Sequence, residues 1–267
     1  GGPTSNVVKL GAGTLKISGA SSFGGSVTLG NTVGVLNVQH PMALGTGSSA
    51  VTTGTGNSAV ELQGNVAVTG RTLAAAAGVR NASGVNTWAG PVTHSAGVTY
   101  TSASGMLYLT SASGVSSTSS LTFTSLGGVS IAGPVATTGA LVNGLDLGLY
   151  LNSASGFSST MTTNGAAFTV IRNDGALGTS GAGTTVVSGG TLAMEGGINV
   201  AAEPLTVSGT GYTGLFTGAL VNTSGNNTWG GSVALGAATT ISSEAGNLTV
   251  SGNVSGAQTL TLNGMGT

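Results

Sequence analysis

The 267 residues include 50 glycines, 39% hydrophobic and 4% charged side chains, no cysteine and a formal net charge of −1. Low charge with positive mean hydropathy is the reverse of a disordered composition, so the chain can bury a core. The cations Lys9, Lys16, Arg71, Arg80 and Arg172 are scattered, which excludes the clustered phosphate contacts of a nucleic-acid binder, and no apolar run of about 18 residues is present to span a membrane as a helix.

In chain order, short segments of period-two alternation predict strands at 15–17, 27–29, 33–35, 36–38, 60–62, 66–68, 98–100, 107–109, 121–123, 129–131, 168–170, 192–194, 198–200, 205–207, 233–235, 248–250 and 260–262. Glycine stands at nearly every strand end, where positive φ turns the chain. The one Ala-rich run, 72–77, is enclosed by Gly70 and Gly78 and is too short for a stable helix. Asn143-Gly144, Asn164-Gly165, Asp174-Gly175 and Asn263-Gly264 are hairpin signals that would suit a sandwich or barrel. The many very short strands, glycine corners and small residues favour a parallel β-solenoid. At roughly 20 to 25 residues per coil this gives on the order of twelve coils, a rod of about 55 to 60 Å.

Long-range repetition supports the same architecture. Asn81-Ala-Ser-Gly-Val-Asn-Thr-Trp88 returns as Asn222-Thr-Ser-Gly-Asn-Asn-Thr-Trp229, carrying the only two tryptophans at an offset of 229 − 88 = 141. The segment 13–23 answers 147–157, and Ala43-Leu-Gly-Thr46 answers Ala176-Leu-Gly-Thr179, at offsets of 134 and 133. We therefore expect one solenoid over 1–267, built from copies at about 13–146 and 147–267, with 121–146 partly unmatched. Leu262-Asn-Gly-Met-Gly-Thr267 has the phase of Leu10-Gly-Ala-Gly-Thr14, and the opening Gly1-Gly2-Pro3 carries no leader. These features read as a segment of a longer extracellular chain whose terminal coils are uncapped and prone to end-to-end contact.

The segment Val8-Lys-Leu-Gly-Ala-Gly-Thr-Leu15-Lys-Ile-Ser-Gly19, the later Ala43-Leu-Gly, and Asn222-Thr-Ser-Gly-Asn-Asn-Thr-Trp-Gly-Gly231 resemble the autotransporter-associated β-strand repeats, or passenger-associated transport repeats. The resemblance covers most of the chain. It implies a right-handed parallel β-helix in the passenger region of a bacterial surface protein, serving as adhesin, fibre or spacer. It carries no enzymatic activity with it, and the membrane barrel of a complete autotransporter is not among these residues.

Candidate chemistry is sparse. Glycoside hydrolysis would need two of the acids Glu61, Glu195, Glu203, Glu244, Asp146 and Asp174 to share a cleft; Glu61 projects outward from its strand and Asp174 sits in a turn. His40 and His94 lack metal-ligand spacing and read as isolated surface residues. Gly209-Thr-Gly211-Tyr-Thr-Gly214 matches a dinucleotide fingerprint without the following helix, so it reads as a coil corner. Trp88 and Trp229 are either carbohydrate-stacking platforms or packing residues. The packing reading is preferred, with the Asn-rich segment before each forming a turn and both rings on one face of the solenoid. Thr-rich segments such as 51–53 and 121–124 raise ice binding, but the drifting repeat spacing does not suit a flat ladder.

The expected function is a non-catalytic extracellular structural or adhesive β-solenoid without cofactor or metal; the alternative is a carbohydrate-binding or carbohydrate-active β-helix. Expected partners are other copies, end to end or laterally, or a cell-surface or polysaccharide ligand, and neither nucleic acid nor a membrane span.

Overall fold

The computed structural model describes residues 4–30, 33–54 and 58–265. Among them are 31 strands and no helix, and the parallel sheets stack as a β-solenoid of about 12 turns. Two or three strand positions are occupied in each turn. The first face begins as a seven-stranded sheet in which Val7–Lys9 lies on Val27–Leu29, then Val51–Thr53, and so on to Val135–Thr137. The second runs from Thr14–Ile17 and Val35–Val38 through Leu121–Ser125 and Leu141–Leu145 to Val233. The third runs from Ala67–Val68 and Val85–Trp88 through Leu149–Leu151 to Leu260–Gly264. The eleven-residue strand Val233–Ser243 crosses a corner and joins the second and third faces into one 21-stranded sheet.

Period-two alternation decides which side chains enter the core. In Leu121–Ser125 the side chains of Leu121 and Phe123 are buried while Thr122 is half-exposed, and the same phase recurs in Val135–Thr137 and Met161–Thr163. Stacked coils turn these positions into ladders, and one hydrophobic cluster extends from Phe23 to Ile241. Inside it Tyr100 stacks on Phe123 with ring centroids 5.0 Å apart, and Asn143 and Thr163 continue the same row.

The hairpin signals do not make hairpins. Asn143 and Gly144 lie within Leu141–Leu145, where Asn143 is buried and donates to Phe168 O at 2.7 Å and to Thr169 Oγ1 at 3.0 Å. Asn263 and Gly264 lie within Leu260–Gly264. The Ala-rich run contributes the strand Leu73–Ala75, and the two strands expected over 33–38 are one, Val35–Val38. Propensity yields in each case to parallel pairing with a neighbouring coil.

The doubled motif is a corner built twice. Asn81 ends up in Arg80–Ser83 and Trp88 in Val85–Trp88, so the Asn-rich segment is two strands and a bend rather than one turn. Buried Asn86 accepts from Val66 N at 2.7 Å, and donates to Asn81 Oδ1 and to Ser83 O; buried Asn227 accepts from Ile198 N at 2.7 Å, and donates to Asn222 Oδ1 and Ser224 O. Asn81 and Asn222 each bond to the next coil, to Ser104 O and Ala245 O at 2.8 Å. The buried asparagine side chains of both corners are thereby paired.

The Ala-Leu-Gly-Thr matches are also a shared device. Thr46 N donates to Phe23 O and Thr179 N to Phe157 O. Gly45 (φ +77) and Gly178 (φ +82) turn against those same carbonyls, which a Cβ would approach to 2.0 and 2.3 Å, so no other residue fits. His40 Nδ1 accepts from Met42 N as Asn173 Oδ1 does from Gly175 N.

The copies are rotated against one another. From Val7 the first face takes six steps, through Val27, Val51, Leu73, Val92 and Val115 to Val135. The equivalent of Val7 at offset 134 is Leu141, which lies not over Val135 but over Leu121 on the next face. One repeat is thus six turns and a third. Trp88 consequently sits on the third face and Trp229 in a separate three-stranded sheet with Asn199–Val200 and Leu248–Val250. The expectation that both share a face is corrected: the local corner is preserved and its azimuth is not, because the repeat is not a whole number of turns.

Candidate functional site: an outward tyrosine face

Trp88 and Trp229 are both 0% exposed, which makes them packing residues and removes them as stacking platforms. Neither indole N–H finds an acceptor. The rings fill equivalent places behind the Asn corners.

Several polar residues expected at the surface are also inside. His94 is buried, with Nδ1 2.8 Å from Ala75 O and Nε2 2.7 Å from Tyr100 Oη. The backbone carbonyl fixes the proton on Nδ1, so Nε2 accepts from the tyrosine. Burial holds the imidazole below its ordinary range, partly opposed by the bond to Ala75, and pushes the Tyr100 phenol far above its own.

Arg71 is 1% exposed and donates to Gly25 O at 2.7 Å, Ser49 O at 3.0 Å and Leu44 O at 2.5 Å. Burial lowers its pKa. At offset 203 − 71 = 132 the second copy places Glu203, 5% exposed and accepting from Thr184 Oγ1 at 2.9 Å, its pKa raised chiefly by burial. One corner thus holds opposite charges in the two copies. Both are served by neutral dipoles of the coil.

The carboxylates are mostly dispersed among polar partners: Glu61 with Asn37 Nδ2, Glu195 with Arg172, Glu244 with Thr217. Asp174 and Glu203 do border one small cleft of about 200 Å³ with Leu177, Ser180 and Val200. Asp174 Oδ1 accepts there from Asn199 N at 2.7 Å. Among the described residues no group of three or more His, Asp or Glu side chains is placed to hold a metal.

Five of the eleven aromatic residues lie instead on or beside the outside of the third face, with Arg172 and Glu195. Tyr108, Ser130, Tyr150, Val170, Ala193 and Val221 form one row across successive strands. Three of the four tyrosines and two of the five phenylalanines lie on or beside it, with the one ion pair among the described residues, Arg172 Nε to Glu195 Oε2 at 2.7 Å. The segment with the dinucleotide-like spacing leaves the coil after Leu205–Gly209 and lays Tyr212 and Phe216 edge-on against Phe168, centroids 5.4 and 5.1 Å away. Phe168 also meets Tyr150 edge-on at 6.0 Å. Its ring has room only because residue 148 is glycine (φ +83), where a Cβ would come within 2.2 Å of it.

Beyond Tyr150 the row is uncovered. A notch of about 270 Å³ is lined by Met106, Tyr108, Ser130, Tyr150 and Arg172. Arg172, 41% exposed, lies over the Tyr150 ring with its carbon 5.0 Å from the centroid. A hydrogen-bonded chain links neighbouring coils: Thr223 Oγ1 to Glu195 Oε1, Arg172 NH1 to Asn152 Oδ1 at 3.1 Å, and Asn152 Nδ2 to Ser130 Oγ at 3.1 Å. Burial raises the pKa of Tyr150, Arg172 lowers it, and Glu195 and Tyr108 raise it.

No family model, curated protein or solved structure matches the chain.

The tyrosine face has a sequence signal in the identical tripeptides Leu107-Tyr-Leu109 and Leu149-Tyr-Leu151, 149 − 107 = 42 residues apart. Alternation points each tyrosine outward between two inward leucines. That the two lie in one row, two coils apart, follows from the registers.

Proposed function

We propose that the chain is a non-catalytic extracellular β-solenoid with a structural and adhesive role, a stiff rod whose contact surface is the tyrosine face. The observation that carries this reading is the placing of Tyr108 and Tyr150 on one outward row, with Tyr212 and the exposed Arg172 beside it, in a protein that is 4% aromatic and 4% charged. Tyrosine and arginine supply large contact area and directional donors at binding surfaces. Stacked apolar ladders and interstrand hydrogen bonds hold the rod stiff. The resemblance to passenger repeats supports a bacterial cell-surface or secreted location. Beads coated with the chain should attach to bacterial or host-cell surfaces under flow, and a Tyr108→Ala, Arg172→Ala variant should detach. Attachment no better than that of beads bearing an unrelated protein would refute the adhesive role.

One observation favours the carbohydrate-active alternative: Asp174 and Glu203 border the same cleft, and Glu203 is held toward its protonated form, as a general acid requires. Release of reducing ends from polysaccharides by the wild type and not by Glu203→Gln would establish that reading in place of the first.

A further inference from the structure

We infer that the notch between Tyr108 and Tyr150 is a binding site for one pyranose ring of a neutral polysaccharide. This rests on the adhesive reading of the same face and gives it a ligand class.

The spacing argues for a ring of that thickness. Tyr108 and Tyr150 stand on strands separated by the one bearing Ser130, so the bases of the two side chains are roughly 9.6 Å apart, twice the interstrand distance. A flat aromatic group packed between two rings fills roughly 7 Å, since contacting carbon atoms sit about 3.5 Å apart. A puckered sugar ring, with axial hydrogens on both faces, needs more and fits the wider gap. The small side chain of Ser130 at the floor keeps the gap open.

The notch is also prepared for hydroxyl groups. Ser130 Oγ accepts from Asn152 Nδ2, which leaves its own proton to donate to a ligand. Asn152 is held in turn by Arg172, and Arg172 by Glu195. Arg172 belongs to the coil beyond Tyr150, follows the strand Phe168–Ile171 and bonds onward to Glu195. It lies over the Tyr150 ring and also lines the notch, so its guanidinium stands at the wall of the site. Phe168 supports the same tyrosine edge-on. A ring fixed by its neighbours loses little entropy when a ligand stacks on it. Because Arg172 is already paired with Glu195, the site offers hydrogen bonds without a strong net field, which selects a neutral chain over a polyuronate.

The test is affinity electrophoresis of the full 267-residue chain through gels containing a soluble β-glucan, a mannan or a polyuronate, with saturation-transfer NMR using the corresponding oligosaccharides. A neutral polysaccharide should retard the wild type, and Tyr108→Ala should weaken binding about tenfold or more. Ser130→Trp, which fills the notch from the solvent side, should abolish retardation with an unchanged melting temperature. Retention should change little between low and high salt. The inference is overturned if no neutral glycan binds, if the polyuronate alone binds, if a Trp-containing peptide saturates the notch where sugars do not, or if both Tyr108→Ala and Ser130→Trp bind as the wild type does. Should Ser130→Trp fail to fold, Tyr108→Ala and the salt series still decide. Coated beads that adhere while no polysaccharide is bound would sink the ligand assignment alone, whereas free glycan bound by a chain that fails to anchor beads would sink the adhesive role.

Discussion

At the residue scale, solvent exclusion governs the few ionisable groups. His94 has a folded pKa below its ordinary value of 6.5. Just below that pH the unfolded chain binds a proton that the folded chain does not, so His94's contribution is whole above about 6.5 and is lost as pH falls toward the folded value. Glu203 runs the other way, because its folded pKa is raised above 4.5: its contribution is whole below about 4.5 and lost as pH rises through the raised value. In a Glu203→Gln background, which leaves the imidazole's slope alone of the two, thermal melts should therefore show stability falling on acidification below about 6.5, and adding His94→Gln should flatten that slope. Glu203→Gln, which keeps an oxygen for Thr184, should raise the midpoint at neutral pH by about 2 °C. An acid limb equally steep in His94→Gln would show that the imidazole is not the group responsible.

At the element scale, the corners carry the specificity of the fold. Asn86→Ala would strand Val66 N–H and Asn81 Oδ1 in a dry interior, while Ser83 O would keep the bond it accepts from Gly64 N. At about 1 kcal/mol or more for each unpaired group, the loss should be about 2 kcal/mol in a urea melt, and Asn227→Ala should match it because its partners are equivalent. A large loss at one corner with none at the other would refute their equivalence. Asn86→Asp should do no better, since a carboxylate cannot supply the two donated bonds. The excursion that carries Tyr212 and Phe216 differs in kind: it is tied down by Tyr212 N to Thr191 Oγ1 and by Thr217 to Glu244, and its aromatic residues shield one end of the tyrosine row.

At the scale of the whole molecule, the rod presents a long wall of parallel strands and an open last coil. Leu248, Val250, Val254, Leu260 and Leu262 surround a cleft of about 370 Å³, and Leu262 is 74% exposed. Chains of these 267 residues should associate through that coil, by pairing with another strand or by covering the cleft. With so few charges involved, the association should vary little with salt. Sedimentation at rising concentration checks this, and Leu262→Lys should shift the distribution toward monomer. A wild type that stays monomeric throughout would show that the coil is adequately closed by its own residues.

The sequence by itself determined the β-solenoid and its approximate number of coils, because alternation and glycine spacing are local patterns. Leu121-Thr-Phe123 could be assigned its buried and exposed sides from period two alone, and the tryptophan motif could be recognised as a repeated corner. The hairpin signals at Asn143-Gly144 and Asn263-Gly264 misled, since parallel pairing claims Leu141–Leu145 on both sides and Leu260–Gly264 on one, which no local pattern reveals. His94 read as a surface residue, and nothing local marked Arg71 and Glu203 as buried, because burial depends on which coil lies above and below, as does the rotation of the second copy by a third of a turn. The notch between Tyr108 and Tyr150 belongs to this second class: each tyrosine is legible as outward-facing, but only parallel stacking sets them two strands apart with Ser130 between them, because register is a relation between coils and not a property of either one.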